Sequence, residues 1–323
     1  MIPNFKKTTS YITISVMFLL LCFLTILYVY SPRTLTKRIQ LQDFVGFDNA
    51  YELARLEDLF AILFSDTKHM YKEIRVYSVF DTVHTFEKPN GVLTVQYSAE
   101  GVFNNPSNYD INIIPGKREQ HNVLSMPYMA ATMFVHNVDL HAFTRRRILQ
   151  KQNQKHTKFC LFAVSSPVNP RRNEFFTSLT KYKPVDSCGK VFNNLGYSCP
   201  GNHQSPDFHT FISQYKFMIC FENSSLENYF TEKLLNAYKS NTIPIYWGCP
   251  NVGEYINLSS ILYLPPNYTE EDVVNLIQEI ERLDNDDELY RKKYESVFFK
   301  NGVVPDDFLP EKIKEKINTI LHV

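Results

Sequence analysis

The chain has one tryptophan against 25 phenylalanines and 20 tyrosines, only ten glycines, no excess of charge of either sign and no Cys-x-x-Cys pair. Each shortage removes a class of protein. Lys plus Arg equals Asp plus Glu at 34 each, giving a formal net charge of zero. A broad, non-specific nucleic-acid surface draws its affinity from excess basic charge, so nucleic acid is not an expected partner. A local basic pocket for one diphosphate remains compatible with that balance. Without Cys-x-x-Cys, a structural zinc site lacks its usual opening ligand pair. No Asp-x-Asp pair stands at the end of a strand-like run in the second half of the chain. Asp284, Asp286 and Asp287 fall in an acidic stretch between two helical patterns, so no catalytic metal is implied. No internal repeat is present.

Six cysteines are present, and Cys22 lies in the apolar run described below. The rest, Cys160, Cys188, Cys199, Cys220 and Cys249, are an odd set, so at least one stays unbridged within the chain. A Cys188–Cys199 pair is sterically conceivable, but spacing does not establish it. Cys220 and Cys249 sit in strand-like apolar runs, where a buried thiol is the ordinary reading.

At 323 residues the chain is long enough to bury a large core, and its length suggests two domains. The aromatic content suits that core, with stacking faces for bases or sugar rings as a further use. Tyr11–Tyr30 carries no charge over 20 residues and is bracketed by tyrosines. At 1.5 Å per residue such a helix is about 30 Å long, enough to cross a bilayer. A cleaved signal peptide is the alternative, but the run is long for one and Ser31-Pro32-Arg33 offers no small-residue cleavage site. We therefore expect a tail over 1–10, a lipid-embedded anchor over 11–30 and a stem over 31–50. Lys6 and Lys7 before the run nearly balance Arg33, Lys37 and Arg38 after it, so flanking charge does not fix the orientation.

Beyond the stem, the apolar spacing predicts a helix over 51–63 and strands over 73–80, 92–97 and 110–114. These make an N-terminal α/β domain over 51–150. The basic, polar run 145–158 reads as a linker or exposed loop. A C-terminal domain over 151–323 follows, with buried strands at 158–165, 215–221 and 242–247. Helices are expected over 172–182, 229–240, 270–283 and 288–298, and Thr269-Glu270-Glu271-Asp272 reads as a capping box. Strand–helix alternation of this kind requires parallel sheets covered on both faces.

The richest stretch is Tyr215–Pro250, YKFMICFENSSLENYFTEKLLNAYKSNTIPIYWGCP. An apolar strand ends abruptly at Glu222-Asn223, and Glu232-Lys233 opens the next helix. Ligands bind at the carboxyl ends of strands in open sheets, and a helix start offers free N–H groups to a diphosphate. Lys233 at the positive end of a helix dipole is unfavourable unless an anion lies beside it. The plainer alternative is that Glu232 caps the helix while Lys233 faces water. Arg171-Arg172 also starts a helix just beyond a strand; a guanidinium binds phosphate bidentately, although such a pair is often merely solvated. Glu100 ends the strand Val92–Tyr97 in a small-residue turn, as a general base or as an ordinary exposed carboxylate.

This stretch resembles the donor-sugar signature of the alpha-1,3-fucosyltransferases, the family-10 glycosyltransferases that use GDP-fucose. The likeness extends through Arg172, Phe175-Phe176 and Pro184-Val185-Asp186-Ser187-x-Gly189. In the first half it runs through Ala99-Glu100-Gly101, Tyr109-Asp110 and Leu124-Ser125-Met126-Pro127-Tyr128. It implies an α/β fold of two Rossmann-like domains facing across a cleft, the GT-B type, preceded by one transmembrane helix. It implies an inverting transferase with Glu100 as base and with Arg172 and Lys233 on the leaving diphosphate. Asn223, Tyr229 near the guanine, Glu232 on the ribose, and Tyr246 in the strand that closes the pocket complete the donor site. GDP-fucose is the implied donor, with no required metal, and an oligosaccharide or glycoprotein hydroxyl is the acceptor. That acceptor would be the 3-OH of N-acetylglucosamine or glucose. With the large domain after the anchor, the resemblance also implies a single-pass type II protein of the Golgi with a lumenal catalytic domain.

The first half departs from the family pattern. Gly101 replaces the usual Asn, Ile114-Pro115-Gly116 replaces Gly-Phe-Asp, and no opening strand is evident before Glu73. These departures leave two other readings open. One is a different nucleotide-sugar transferase on the same scaffold, the other a catalytically idle, membrane-anchored glycan-binding protein.

Overall fold

The strand–helix alternation builds two parallel, five-stranded sheets. The computed structural model describes residues 38–42, 44, 50–79, 90–116, 119–149 and 156–323. The expected anchor at 11–30 lies outside these residues, and no helix among them is long and apolar enough to cross a membrane. Ile39–Val323 form one compact unit.

The first sheet contains β1 (Ile39–Gln42), β2 (Glu73–Ser78), β3 (Val92–Tyr97), β4 (Ile111–Ile114) and β5 (Val123–Ser125), in that spatial order. Covered on both faces, it reads as near-continuous apolar sequence, as parallel sheets do. The polar residues inside it are paired. Asp110 accepts from the Thr94 amide at 2.8 Å and its hydroxyl at 2.7 Å, and Gln96 donates to Asn112 at 2.6 Å. Helix α1 (Ala50–Leu63) buries Leu56, Leu59, Phe60 and Leu63, one face at helical spacing. Helix α2 (Tyr128–Val135) follows β5.

The second sheet is formed by β6 (Lys158–Phe162), β7 (Asp186–Ser187), β8 (Tyr215–Phe221), β9 (Ile243–Trp247) and β10 (Leu262–Tyr263). Its spatial order is β7-β6-β8-β9-β10, so the winding reverses between β6 and β8. Helices α3 (Pro170–Leu179), α4 (Pro206–Ile212) and α5 (Glu232–Lys239) connect these strands. Helices α6 (Glu270–Asn285), α7 (Asp287–Tyr294) and α8 (Pro310–Leu321) close the chain. The capping box at Thr269 and Asp272 is present. Helix α8 returns to α1, with Asn318 donating to Asp66 at 2.8 Å and Ile313 and Ile317 buried in the core that holds Leu59.

Three expectations need correction. The stem expected over 31–50 contains β1, whose residues Ile39–Gln42 pair in parallel with Ile74–Tyr77, so the first sheet does have an opening strand before Glu73. The run 145–158 is not simply an exposed linker. Arg147 lies between the rings of Tyr238 and Tyr294, at 3.8 and 4.1 Å from their centroids. It also donates to the Tyr238 carbonyl at 3.0 Å and the Tyr294 carbonyl at 3.1 Å. Helix α5 starts at Glu232, three residues later than its periodicity predicts, because Asn228 takes a left-handed conformation (φ 57°) and Thr231 an extended one (φ −114°, ψ −172°). Cys188 and Cys199 form a disulfide, while Cys160, Cys220 and Cys249 are free and buried.

The Arg147 clamp carries a test. Arg147→Met removes two stacked faces and two charged hydrogen bonds, and should lower the unfolding free energy by roughly 2–4 kcal/mol. Urea denaturation measures it, with Arg147→Lys recovering little because ammonium cannot stack as a plane. Unchanged stability in Arg147→Met would show the segment to be the solvated linker its composition suggests.

Candidate active site

The reversal between β6 and β8 opens a crevice at the carboxyl ends of the strands, where an open α/β sheet binds its ligand. A cavity of about 610 Å³ lies there. Its lining includes Glu100, Arg172, His203, Asn223, Glu232 and Lys233, drawn from both sheets.

The site is built on Glu222. The apolar strand β8 delivers this carboxylate to a fully buried position. Oε1 accepts from the Thr231 amide at 2.8 Å and Oε2 from the Thr231 hydroxyl at 2.9 Å. Lys233 Nζ stands 3.1 Å from Oε2 and also donates to the Thr231 hydroxyl oxygen at 2.8 Å. Gly248 (φ 149°) passes so close that a Cβ there would lie 2.6 Å from Glu222 Cγ. Burial pushes the Glu222 carboxyl above its ordinary range, with Lys233 opposing. Lys233 shows the reverse balance: burial lowers its pKa, but Glu222 and Glu232 raise it further, so it remains an ammonium. Burial raises Glu232 as well, and Lys233 and His203 more than reverse this, leaving it an anion. The start of α5 thus carries one fixed cation between two carboxylates, with its helix dipole toward the cavity.

Arg172 lies in the first turn of α3, after the cap Asn169 and Pro170. It is 5% exposed, and its Nε donates to the carbonyls of Phe221 at 3.1 Å and Glu222 at 3.0 Å. Asn169 Nδ2 donates to the Glu222 and Asn223 carbonyls, both at 3.2 Å. The end of β8 is therefore held from the α3 side, and the guanidinium is aimed into the cavity. Arg171 points elsewhere: it stacks on Tyr268 at 4.7 Å and donates to the Pro266 carbonyl at 3.3 Å. Arg172, not its neighbour, joins Lys233 in the cavity.

Glu100 comes from the first sheet. Ser98, nearly buried, shapes its turn by donating to the Glu100 and Val102 carbonyls at 2.8 and 2.6 Å. Oε2 accepts from Asn223 Nδ2 and from the Tyr229 hydroxyl, each at 2.9 Å, across the crevice. Gly101 is explained by the same approach, since a Cβ there would lie 2.5 Å from Ser224 Oγ. A larger residue would need the Ser224 hydroxyl to turn away. A second tie joins the two sheets nearby, Asn228 Nδ2 donating to the Ser125 hydroxyl at 2.7 Å.

The structure brings together Glu100, Arg172, Asn223, Glu232 and Lys233, and leaves out two expected donor contacts. Tyr246 is fully buried and does not line the cavity; its hydroxyl accepts from the Cys249 amide at 3.1 Å behind Glu222. Every residue of β9 is buried, so no alternation marks which side chain could reach a ligand. Tyr229 is 1% exposed and offers no ring face to a base. Its contribution is the hydroxyl on Glu100. Sequence reasoning missed His203, which acts electrostatically on Glu232, and Asn236, buried in the wall and bonded to Gln204. Neither has a local signal: His203 lies in loop 201–205, which reads only as turn residues, and Asn236 is a polar residue inside α5 whose burial comes from its neighbours. A second cavity of about 510 Å³ adjoins the first through Ala163, Ser165, His203 and Phe208, and is walled by the Cys188–Cys199 disulfide. Among the described residues no group of three or more His, Cys, Asp or Glu is placed to hold a metal ion.

Comparison with known proteins gives this geometry its relatives. Residues 152–297 match the family model described as glycosyltransferase family 10 (fucosyltransferase), C-terminal. An alpha-(1,3)-fucosyltransferase of Helicobacter pylori is 43% identical over 104 residues, covering 32% of this chain and 20% of that protein. A GDP-fucose protein O-fucosyltransferase 3 of Xenopus laevis is 30% identical over 182 residues, covering 54% of this chain and 37% of that protein. The chain thus spans well under half the length of these curated relatives. The crystal structure of an alpha1,3-fucosyltransferase with GDP-fucose superposes with a TM-score of 0.63 at 22% identity, covering 88% of this chain and 90% of that one. That likeness bears out the α/β fold with two parallel sheets in a GT-B-like arrangement. The family resemblance read from Tyr215–Pro250 holds for the C-terminal part of the chain.

The Glu222–Lys233 pair predicts a pH-dependent defect. Lys233→Ala leaves a buried carboxylate unpaired and should cost about 3–5 kcal/mol of stability at pH 7. A carboxyl whose folded pKa is raised loses stability as pH rises through the window above its unfolded value of about 4.5. The Lys233→Ala defect should therefore shrink on acidification toward that value, and shrink at pH 7 when Glu222→Gln is added. A defect of equal size at both pH values, unrelieved by Glu222→Gln, would dissociate the two residues.

Proposed function

We propose that this chain, with a family-10 glycosyltransferase C-terminal domain over residues 152–297, transfers fucose from GDP-fucose to a glycan or glycoprotein hydroxyl with inversion. The observation that carries the reading is the cavity at the β6–β8 reversal. There Arg172 and Lys233, each in the first turn of a helix, face Glu100 from the opposing sheet. A leaving diphosphate needs cations, and an attacking hydroxyl needs a base on the other side of the sugar.

In this reading the diphosphate lies against Arg172, Lys233 and the start of α5, where the negative charge released by C–O cleavage is neutralised. Glu232, ionised and partly open to the cavity, accepts hydrogen bonds from the ribose hydroxyls. Asn223 lies on the sugar side, between the cations and Glu100. The acceptor hydroxyl gives its proton to Glu100 as its oxygen bonds to the anomeric carbon and GDP departs. In this reading Tyr246 lies behind the donor shell and Tyr229 meets Glu100 at its edge. The acceptor hydroxyl is the 3-OH of N-acetylglucosamine or glucose, the choice favoured by the likeness to alpha-1,3 enzymes. The name of the Xenopus relative, a protein O-fucosyltransferase, supports a protein as the acceptor molecule. The uncharged run 11–30 supports a single-pass anchor in the bilayer; the type II orientation, with the catalytic domain in the Golgi lumen, rests on the family resemblance.

The test is transfer from GDP-fucose to an array of oligosaccharides and glycopeptides, with GDP binding followed by calorimetry. Wild type should bind GDP without added metal and transfer fucose. Glu100→Gln keeps the size but cannot take the proton, and should lower kcat by at least about 100-fold while GDP affinity hardly changes. GDP binding without transfer to any acceptor would favour an idle glycan-binding protein. Transfer from another nucleotide sugar alone would move the chain to a different transferase class.

A further inference from the structure

Three Asn-x-Ser/Thr triplets without a central proline occur in the chain: Asn223-Ser224-Ser225, Asn257-Leu258-Ser259 and Asn267-Tyr268-Thr269. Such a triplet accepts an N-linked glycan when the chain passes through the secretory lumen, and the folded protein must then have room for a bulky sugar at the amide nitrogen. The fold treats the three amides differently. Asn223 Nδ2 donates to Glu100 Oε2 at 2.9 Å inside the crevice, and the Ser225 hydroxyl donates to the Gly248 carbonyl at 2.7 Å. Asn257 is half-buried; its Nδ2 donates to the Val297 carbonyl at 3.0 Å and its Oδ1 accepts from the Ser259 amide at 3.1 Å. Asn267 is exposed, and among the described residues its side chain has no hydrogen-bond partner.

The backbone around Asn267 makes it the corner of a turn held from beneath. The Tyr268 amide donates to the Pro265 carbonyl at 3.2 Å, so Pro266 and Asn267 are the central residues of a β-turn after β10. The Pro266 carbonyl accepts from Trp247 Nε1 and from Arg171, each at 3.3 Å, and Arg171 stacks on Tyr268 at 4.7 Å. Thr269 then caps α6. The turn lines neither cavity, so a sugar chain leaving Asn267 does not fill the site. A separate observation bears on the compartment. The Cys188–Cys199 disulfide belongs to an oxidising environment, and such bonds are rare in the cytosol. It supports the lumenal orientation proposed above, which the charges flanking the run 11–30 leave open.

We propose that Asn267 is an N-glycosylation site, and that the mature protein carries its N-linked oligosaccharide there and not at Asn223 or Asn257. In the modification, Asn267 Nδ2 exchanges one hydrogen for the anomeric carbon of the first N-acetylglucosamine of a lipid-diphosphate oligosaccharide. The C–O bond to the diphosphate breaks, its electron pair leaves with the lipid diphosphate, and the displaced proton goes to a base of the oligosaccharide-transferring enzyme. That enzyme reads the chain before it folds, so the fold decides which glycans a mature protein can keep. A sugar at Asn223 would separate the two sheets at Glu100, and one at Asn257 would have to leave a half-buried amide that is bonded at both ends. The inference rests on the lumenal orientation and is independent of the transfer chemistry.

Expression of the full chain in eukaryotic cells tests this, alongside the same chain with a further Asn-x-Thr triplet appended after Val323 to report orientation. Wild type should lose one glycan to peptide N-glycosidase, and a peptide map should then show Asn267 converted to Asp with Asn223 and Asn257 unchanged. Asn267→Gln should abolish the mobility shift, and Asn257→Gln should leave it in full. A modified reporter beside a bare Asn267 would overturn the proposal while keeping the orientation. If neither is modified, the domain faces the cytosol, and the inference falls with its premise. A glycan on Asn223 or Asn257 in the folded, protease-resistant protein would contradict selection by the fold.

Discussion

A carboxylate with no exposure to solvent has to be neutralised where it stands, and at the end of β8 that requirement organises everything around Glu222. Its two oxygens take the amide and hydroxyl of Thr231 and the ammonium of Lys233. The same contacts hold Thr231 in the extended conformation (φ −114°, ψ −172°) from which α5 begins. With the start of α5 pinned, Glu232 and Lys233 are fixed at the cavity wall. From the other side, the carbonyl of the same residue receives Asn169 and Arg172. One buried side chain and its own backbone therefore position both cations that face the cavity.

The same loop, from Asn223 to Thr231, is also where the two sheets touch. Asn223 and Tyr229 reach Glu100, Asn228 reaches Ser125, and Ser224 occupies the space beside Gly101. A displacement of β8 would move the cations and release the carboxylate of the first sheet together. The coupling is physical: a short loop, filled on both sides, with side-chain bonds to both halves.

Much of this was legible in the chain. β3 and β8 fall where their apolar runs begin and end, α1 follows the spacing of Leu56, Leu59, Phe60 and Leu63, and the Thr269 capping box opens α6. Glu100, Arg172, Asn223, Glu232 and Lys233 meet in the cavity as the family resemblance implies; pattern alone left each of the charged ones an equally ordinary solvated or capping role. Four features escaped, each for a definite reason. β1 is four residues long and half glutamine, so it lacks a strand's pattern. Arg147 sits in a run of basic residues, and nothing local distinguishes the one that is clamped between two tyrosines. Tyr246 belongs to a strand buried on both faces, where periodicity cannot select a ligand-facing side. His203 and Asn236 reach the cavity through tertiary packing alone.

The central claim is that the start of α5 and Arg172 hold a nucleotide diphosphate while Glu100 waits on the sugar side. A crystal structure of the protein soaked with GDP tests it most directly. The account predicts both phosphates within hydrogen-bonding distance of Arg172 and Lys233, the ribose against Glu232, and an open space between the β-phosphate and Glu100 large enough for one sugar ring. Phosphates bound away from Arg172 and Lys233, or a nucleotide whose β-phosphate points away from Glu100, would contradict it.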